Sequence, residues 1–368
     1  MSRPGLVTTK RARPAPEAPD APKLSVSAGL RQWMLDQQVS VAFTSYQSGR
    51  LLLMGVGPDG LLAFSRQDYQ RAMGLHYSAG RLHVAAAFRI WRLEEMLDPG
   101  QFANDKYDSV LIPRVAHTTG YVDAHDLAVD RSGRVIFVNT RFSCLAIPDE
   151  RHAFQPIWKP SFISGIFPED RCHLNGLAME DGVPRYVTAV NTTDTFEGWR
   201  DRPRDGGVIV DVPSGEIVNG EMSMPHSPRL HQDQLWVQDS GRGFLTVVDR
   251  ATGRKEDVVF CPGFLRGMAM HGRFAIVAVS QARHGQFKDL ALQDELDSRR
   301  MAAWCGLIVI DLVKGEMVEY MRIDSGFTEL FDVAILPGIR NPMSLGPQSE
   351  EIMKTVRFNP EFAPLTVG

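Results

Sequence analysis

The sequence is poor in the features that most directly announce a chemistry. Cysteine occurs only at 144, 172, 261 and 305 of the 368 residues. No two stand at CxxC spacing, which excludes a zinc ribbon or a dithiol redox motif, and all four read as reduced thiols buried as small hydrophobes. No apolar run approaches the roughly 20 residues that a membrane-spanning helix requires. The first stretch, MSRPGLVTTKRARPAPEAPDAPKL, lacks the apolar centre of a secretory signal and reads as a disordered Pro/Ala-rich tail over 1–24. Excess charge of one sign is also missing: the formal net charge is −4, which gives no general attraction to nucleic acid or to an anionic membrane. These absences describe a cytoplasmic protein without nucleic-acid or membrane partners. No G-x-S-x-G elbow occurs. One G-x-G-x-x-G does, at Gly55–Gly60. It is followed by a turn and the strand-like LLAFS rather than by a helix, so no nucleotide cofactor is expected there.

What the chain does contain is one sentence written several times. HDLAVDRSGRVIFVNT begins at His125, an apolar strand, a Ser-Gly turn and a second strand that ends on polar residues. Versions of it begin at Met73, Asn175, Ser227, Arg266 and, as a first half only, Phe331, so successive starts lie 52, 50, 52, 39 and 65 residues apart. A repeat of about 40–50 residues built only of short strands is the pattern of propeller blades. Six starts predict an all-β, six-bladed β-propeller over 25–345, followed by a C-terminal rim segment, 346–368. The last start lacks its partner strands, and three strands stand unassigned at 39–67. The last blade is therefore expected to close by pairing 39–67 with the inner strand near 331–337, which removes the open sheet edge. A short helix is expected over 27–38, a helical turn and loop in the blade-one excursion after 90, a helix over 288–302, and a helical turn at 350–356.

In a propeller the residues that enter the inner strands converge on one end of the axis. Three histidines, His125, His173 and His226, fall at entries to adjacent blades. Three neutral imidazoles meeting at one point can hold a divalent metal (Zn, Fe, Mn or Ca) and leave a position for water or substrate. The alternative is that they cap strand ends and bond to neighbouring blades. Asn175 and Asp239 are expected to orient water or act as base, and Arg266 to bind substrate. Asn139, Arg141, Asn191, Asp194, Ser227, Ser240, Arg242 and Arg283 complete a polar ring suited to an anionic group. Its arginines can equally pair with Asp126, Asp194, Asp239 and Asp332 across blades. Cys172 beside His173 reads as a structural thiol, and Asp239-Ser240-Gly241 as a turn rather than as part of a triad with His226.

HDLAVD-x-x-G-x-x-x-FVNT-x-FSCLA, DRCHLNGLA, PRYVTAV, MPHSPRLH, DSG and FCPGFLRGMA together resemble a bacterial family known only as a conserved domain of unknown function, over about residues 30–345. NGLA followed by YVTA is similar to the gluconolactonase/regucalcin six-bladed propellers, in which an axial Glu, Asn and Asp bind a divalent cation for lactone hydrolysis. Asn175 matches that Asn, while Met73 and Gly74 stand where the Glu is expected. The histidine set looks like the three-histidine zinc site of the peptidyl-hydroxyglycine lyase propeller in arrangement, not in alignable sequence. These likenesses imply a metal-dependent hydrolase or lyase acting in the axial funnel on a small or peptide-like anionic substrate. The contrasting expectation is a non-catalytic propeller that binds a protein, peptide or glycan through its rim loops, with residues 286–302 as a contact surface.

Overall fold

A computed structural model describes residues 22–359 apart from Pro203. The tail expected over 1–24 lies mostly outside the described residues. Its last residue does not belong to it, because Leu24–Val26 forms a strand against Met321–Ile323.

Six antiparallel sheets follow one another around an axis, a six-bladed β-propeller. Five of them are built on four consecutive strands, as in blade four, Pro225–His231, Gln234–Asp239, Phe244–Val248 and Lys255–Phe260. The sixth blade is the composite one. Its inner strand, Val333–Pro337, pairs with Val39–Ser45 in the register Val39–Pro337 to Phe43–Val333, and Arg50–Val56 and Leu62–Asp68 complete the sheet. The strand Pro342–Ser344 then adds in parallel to the outer edge of blade one.

Turn chemistry recurs with the repeat. In blades three, four and five the outer hairpins read DVPSG, DRATG and DLVKG, and Gly215, Gly253 and Gly315 each donate their N–H to the Asp carbonyl four residues earlier at 2.8 Å. These glycines have φ of 73°, 71° and 67°, the left-handed backbone that glycine adopts most readily. The Gly55–Gly60 stretch is likewise a hairpin turn, with Gly57 N–H bonded to the Leu61 carbonyl. It has no helix to present to a pyrophosphate.

The core consists of six apolar seams between neighbouring blades. Ile136 and Val138 of blade two meet Leu177 and Val187 of blade three. Phe43 and Leu52 of blade six meet Ile276 and Leu307 of blade five, where Leu30 and Met34 of the helix Leu30–Gln37 also pack. A second helix, Ala291–Arg299, lies within the stretch expected to be helical. It buries Leu292 and Leu296 against Phe264 and Phe287. The four-residue helix Glu351–Lys354 falls within 350–356. No helix forms in the blade-one excursion, where Tyr107 N–H bonds the Ala103 carbonyl across a turn whose Asn104 and Asp105 are left-handed at φ 52° and 51°. Arg89–Glu95 is a strand, and the Glu95 carboxylate accepts the N–H groups of Met96, Leu97 and Val110, which gives the loop's backbone donors a partner outside any helix. All four cysteines are buried and free. No helix among the described residues is long and apolar enough to cross a membrane, a statement that leaves β-barrels aside.

Candidate functional site

The site is built from one register position repeated around the ring. Ala124, Leu174 and Pro225 pair with the last residues of the second strands of their blades, and Leu265 with the last but one. The next residues, His125, Asn175, His226 and Arg266, therefore occupy equivalent inner-strand positions, and Met73 and Phe331 take the corresponding places in blades one and six. In blades three, four and five the strand register slips just after this position, between Leu174 and Gly176, His226 and Arg229, and Arg266 and Met268. Such bulges re-aim side chains at the rim of a closed sheet.

The side chains meet. The His125 and His173 rings lie edge to face at 4.9 Å, and His125 packs on Phe331 at 5.1 Å. The Arg266 guanidinium sits 5.1 Å from the Phe331 ring centre and 5.5 Å from that of Phe264, which also contacts the His226 ring. His226 feels the charge of Arg266 and of both other histidines. The three histidines and Arg266 therefore share one mouth.

Each imidazole is fixed through Nδ1. His125 Nδ1 lies 3.0 Å from the Asp123 carbonyl and 2.8 Å from the Thr140 hydroxyl, which itself donates to the Leu174 carbonyl. His226 Nδ1 lies 2.9 Å from the Met224 carbonyl. Asp123 and Met224, each two residues before its histidine, have φ of 54° and 46°. This left-handed backbone is costly outside glycine and concentrates at functional sites. His173, itself at φ 50°, bonds Asp170 through Nδ1 at 2.9 Å, and Trp199 Nε1–H donates to the same carboxylate at 3.0 Å. Trp199 comes from the 3-10 turn Gly198–Asp201 in the long blade-three loop. Acceptor oxygens at every Nδ1 place the proton there and leave Nε2 as the lone-pair atom. The Nε2 of His226 is buried without a hydrogen-bond partner, as is the Asn175 amide nitrogen. Burial, then the nearby positive charges, holds His226 well below the usual histidine range. Burial also lowers His125 to about 4.

Arg266 is the unusual group. Among the described residues it has neither an ion-pair nor a hydrogen-bond partner, although burial and neighbouring Arg283 press its pKa down. Arg266 is half-buried, and a charge drawn partly out of water is normally paired.

The polar ring expected around this mouth is mostly committed elsewhere. Asp239 is fully buried between Arg242 at 3.1 Å and Lys255 at 2.9 Å, and accepts the Ser223 N–H. It braces blade four instead of acting as a base. Arg242 forks onto Asp257 at 3.0 and 2.7 Å. Asp194 pairs with Arg171 at 2.6 Å, and Arg283 with Glu329 at 2.6 Å. Arg141 lies over the Tyr121 ring. Asn139 and Asn191 accept backbone N–H groups in their own turns, from Phe142 and Thr192. Ser240 is wholly buried, and Ser227 holds the left-handed step of its bulge at φ 46°. Cys172 belongs to the seam between blades two and three, where burial pushes its thiol up to about 12. Sequence reasoning missed Asp170, Asp123, Thr140 and Trp199 as supports of the histidines. The Asp170–His173 spacing of three was the only local trace of them.

The three histidines reach one mouth but not as a metal set. Among the described residues no group of three or more His, Cys, Asp or Glu is placed to hold a metal ion. The rings take their orientation from aromatic packing: His173 lies against Trp199 at 4.2 Å and 31°, and edge-on to His125. The Nδ1–oxygen bonds are of the kind found behind metal-bound imidazoles. As positioned, the residues do not fit a bound metal.

The family model of a domain of unknown function, DUF4915, matches residues 28–345. The chain belongs to this family. A comparison with curated proteins gave no match. Among solved structures the chain is similar to one in a nidogen/laminin complex, at 10% identity and TM-score 0.52, covering 82% of this chain and 99% of that one. A structure named as a gluconolactonase gives 14% identity and TM-score 0.46, over 71% and 80%. Virginiamycin B lyase from Staphylococcus aureus gives 10% and 0.40, over 81% and 92%. At these identities the first likeness speaks for the fold alone.

Proposed function

We propose that this DUF4915 propeller is a hydrolase or lyase that takes a small anionic substrate at the axial mouth and acts on it by proton transfer to a histidine. The observation that carries the reading is Arg266, a half-buried guanidinium with no ion-pair or hydrogen-bond partner among the described residues, beside imidazoles that present lone pairs. A carboxylate or similar anion supplies the missing partner, and a charge-assisted bond to a partly desolvated Arg is among the stronger polar contacts. His173 is the base: Asp170 holds its Nδ1–H, so Nε2 takes a proton from water or from a carbon beside the substrate carboxylate, and Asp170 steadies the imidazolium that results. The Asn175 amide offers a donor for charge developing on the substrate. Hydrolysis and elimination both begin with this proton transfer, and no step passes through a metal.

The test is calorimetric titration with sodium acetate, followed by turnover of a panel of lactones, esters and hydroxy acids that carry a carboxylate. Arg266→Ala is expected to abolish acetate binding. His173→Gln should lower turnover about 100-fold or more while acetate still binds. Acetate binding unaffected by Arg266→Ala, or one bound metal per chain in protein purified without a metal-affinity tag, refutes the reading. A second reading, a propeller that binds a protein, peptide or glycan through its rim, is favoured by Phe196 and Phe167. These rings stand 68% and 45% exposed, Phe196 on the long blade-three loop and Phe167 on the loop from blade two to blade three.

A further inference from the structure

Beside Arg266 the mouth opens into a side pocket of about 420 Å³ between blades four and five. It owes its existence to the excursion in blade five. Residues 281–304 leave the second strand, and their Phe287 and Leu290 fold back toward Phe264 and Met224. The helix Ala291–Arg299 pins the excursion through buried Leu292 and Leu296. The wall is apolar and aromatic, with Phe264 and Phe287 nearly parallel at 6.3 Å and 24°. Arg266 stands at the inner end. A pocket of roughly 300–1,000 Å³ with mostly apolar walls and a few convergent polar groups suits a small organic ligand.

The charge inventory restricts that ligand further. Arg283 lines the pocket but is neutralised by Glu329, which also lines it. The imidazoles of His125 and His226 are held neutral by burial. The inner end thus offers one positive charge without an ion-pair partner among the described residues, that of half-buried Arg266. His284 and Lys288 are exposed at the outer rim, where water screens them. One partly desolvated guanidinium balances a monoanion. A dianion would bring a second charge into the half-buried end with no partner there, which is disfavoured.

We infer that the site is selective for amphiphilic monocarboxylates, molecules whose carboxylate meets Arg266 and whose aryl or arylalkyl body fills the Phe264–Phe287 pocket. The inference rests on the proposed role of Arg266 and adds to it the substrate class. The reacting centre then lies next to the carboxylate, at the histidine end, and the body serves to position it.

Titrations of the whole protein with sodium acetate, sodium phenylacetate and phenyl phosphate at pH 8 test the inference. Phenylacetate is expected to bind at least about tenfold more tightly than acetate, since burying a ring removes apolar surface from water. Phenyl phosphate, a dianion at that pH, should bind at least about tenfold more weakly than phenylacetate. Phe287→Ala should reduce the phenylacetate-to-acetate ratio to near one. Phe287→Leu, which keeps an apolar side chain on the excursion, should reduce it in part and serves where Phe287→Ala does not fold. Equal affinity for acetate and phenylacetate in the unmutated protein, or phenyl phosphate binding as tightly as phenylacetate, overturns the substrate class and leaves the proposed function standing. Failure of acetate and phenylacetate alike to bind better to the unmutated protein than to Arg266→Ala overturns the proposed function itself.

Discussion

Replacing Arg229 with Met removes a cation that ties four blades together. Arg229 stands on the inner strand of blade four. Its guanidinium forks onto Asp126 of blade two, Nη1 to Oδ2 at 2.8 Å and Nη2 to Oδ1 at 3.3 Å. It also donates to the Leu177 carbonyl of blade three at 3.0 Å and the Met268 carbonyl of blade five at 3.0 Å. Asp126 is 5% exposed and Arg229 21%. Asp332, one register position beyond Phe331, lies close enough for its charge to be felt by Arg229. Without the guanidinium, Asp126 keeps its N–H donors from Leu127 and Leu177 but becomes a buried charge with no counter-charge. Breaking such a pair costs about 3–5 kcal/mol, a large part of the roughly 5–15 kcal/mol that holds a typical domain folded. Urea unfolding at pH 8, read as a midpoint shift at constant slope, measures the loss. Asp126→Asn combined with Arg229→Met is expected to recover at least about 1–2 kcal/mol, because the offending charge is then gone. The loss should also shrink at pH 5, where Asp332 takes up a proton and its charge no longer adds to that of Asp126. A loss below about 1 kcal/mol, or a double variant no more stable than Arg229→Met, refutes the view that this pair matters through charge.

Stability should respond to pH through two opposed sets of buried groups. Burial lowers His125 to about 4 and His83 to about 4, so the unfolded chain binds more protons than the folded one below about pH 6.5, and stability falls as pH drops from there through 4. Asp332 is raised to about 7 by burial and by neighbouring Asp126. Its contribution is therefore fully present below its unfolded value of 3.8 and is lost as pH rises through 7. Asp332→Asn should remove that falling limb from a plot of thermal midpoint against pH, and an unchanged limb counts against the assignment. Gly267→Ala should destabilise by about 1–3 kcal/mol, because Gly267 has φ 70° and a Cβ there would lie 2.5 Å from the Asp332 Cα. It should also weaken acetate binding by displacing neighbouring Arg266, and unchanged binding would separate the bulge from the site. Trp199→Phe removes the donor to Asp170 while keeping a ring against His173. Turnover should fall while acetate affinity holds, and parallel losses in both would point to collapse of the loop instead.

The architecture could be read from the chain because each blade repeats its own local instructions. Alternation of apolar residues makes the strands, Asp and Gly at fixed offsets make the turns, and a first half without a second at Phe331 marks the shared blade. His125, His226 and Arg266 were legible for the same reason, since they occupy the repeat's entry position, with His173 two residues before Asn175 in blade three. The roles expected of Asp239, Arg242, Asp194 and Arg283 were not, because whether a charged side chain faces a ligand or a neighbour depends on which opposite charge the next strand brings near it. Lys255 and Asp257 settle that for the first two, Arg171 and Glu329 for the others. Only the tertiary structure decided that Arg266 finds no ion-pair or hydrogen-bond partner among the described residues, how the three imidazoles are oriented at one mouth, and that the blade-five excursion builds a pocket beside them. Strand and turn formation depend on residues a few positions apart, which a sequence displays directly. Charge pairing, ring orientation and cavity shape depend on side chains from different blades, and their distances exist only once the ring has closed.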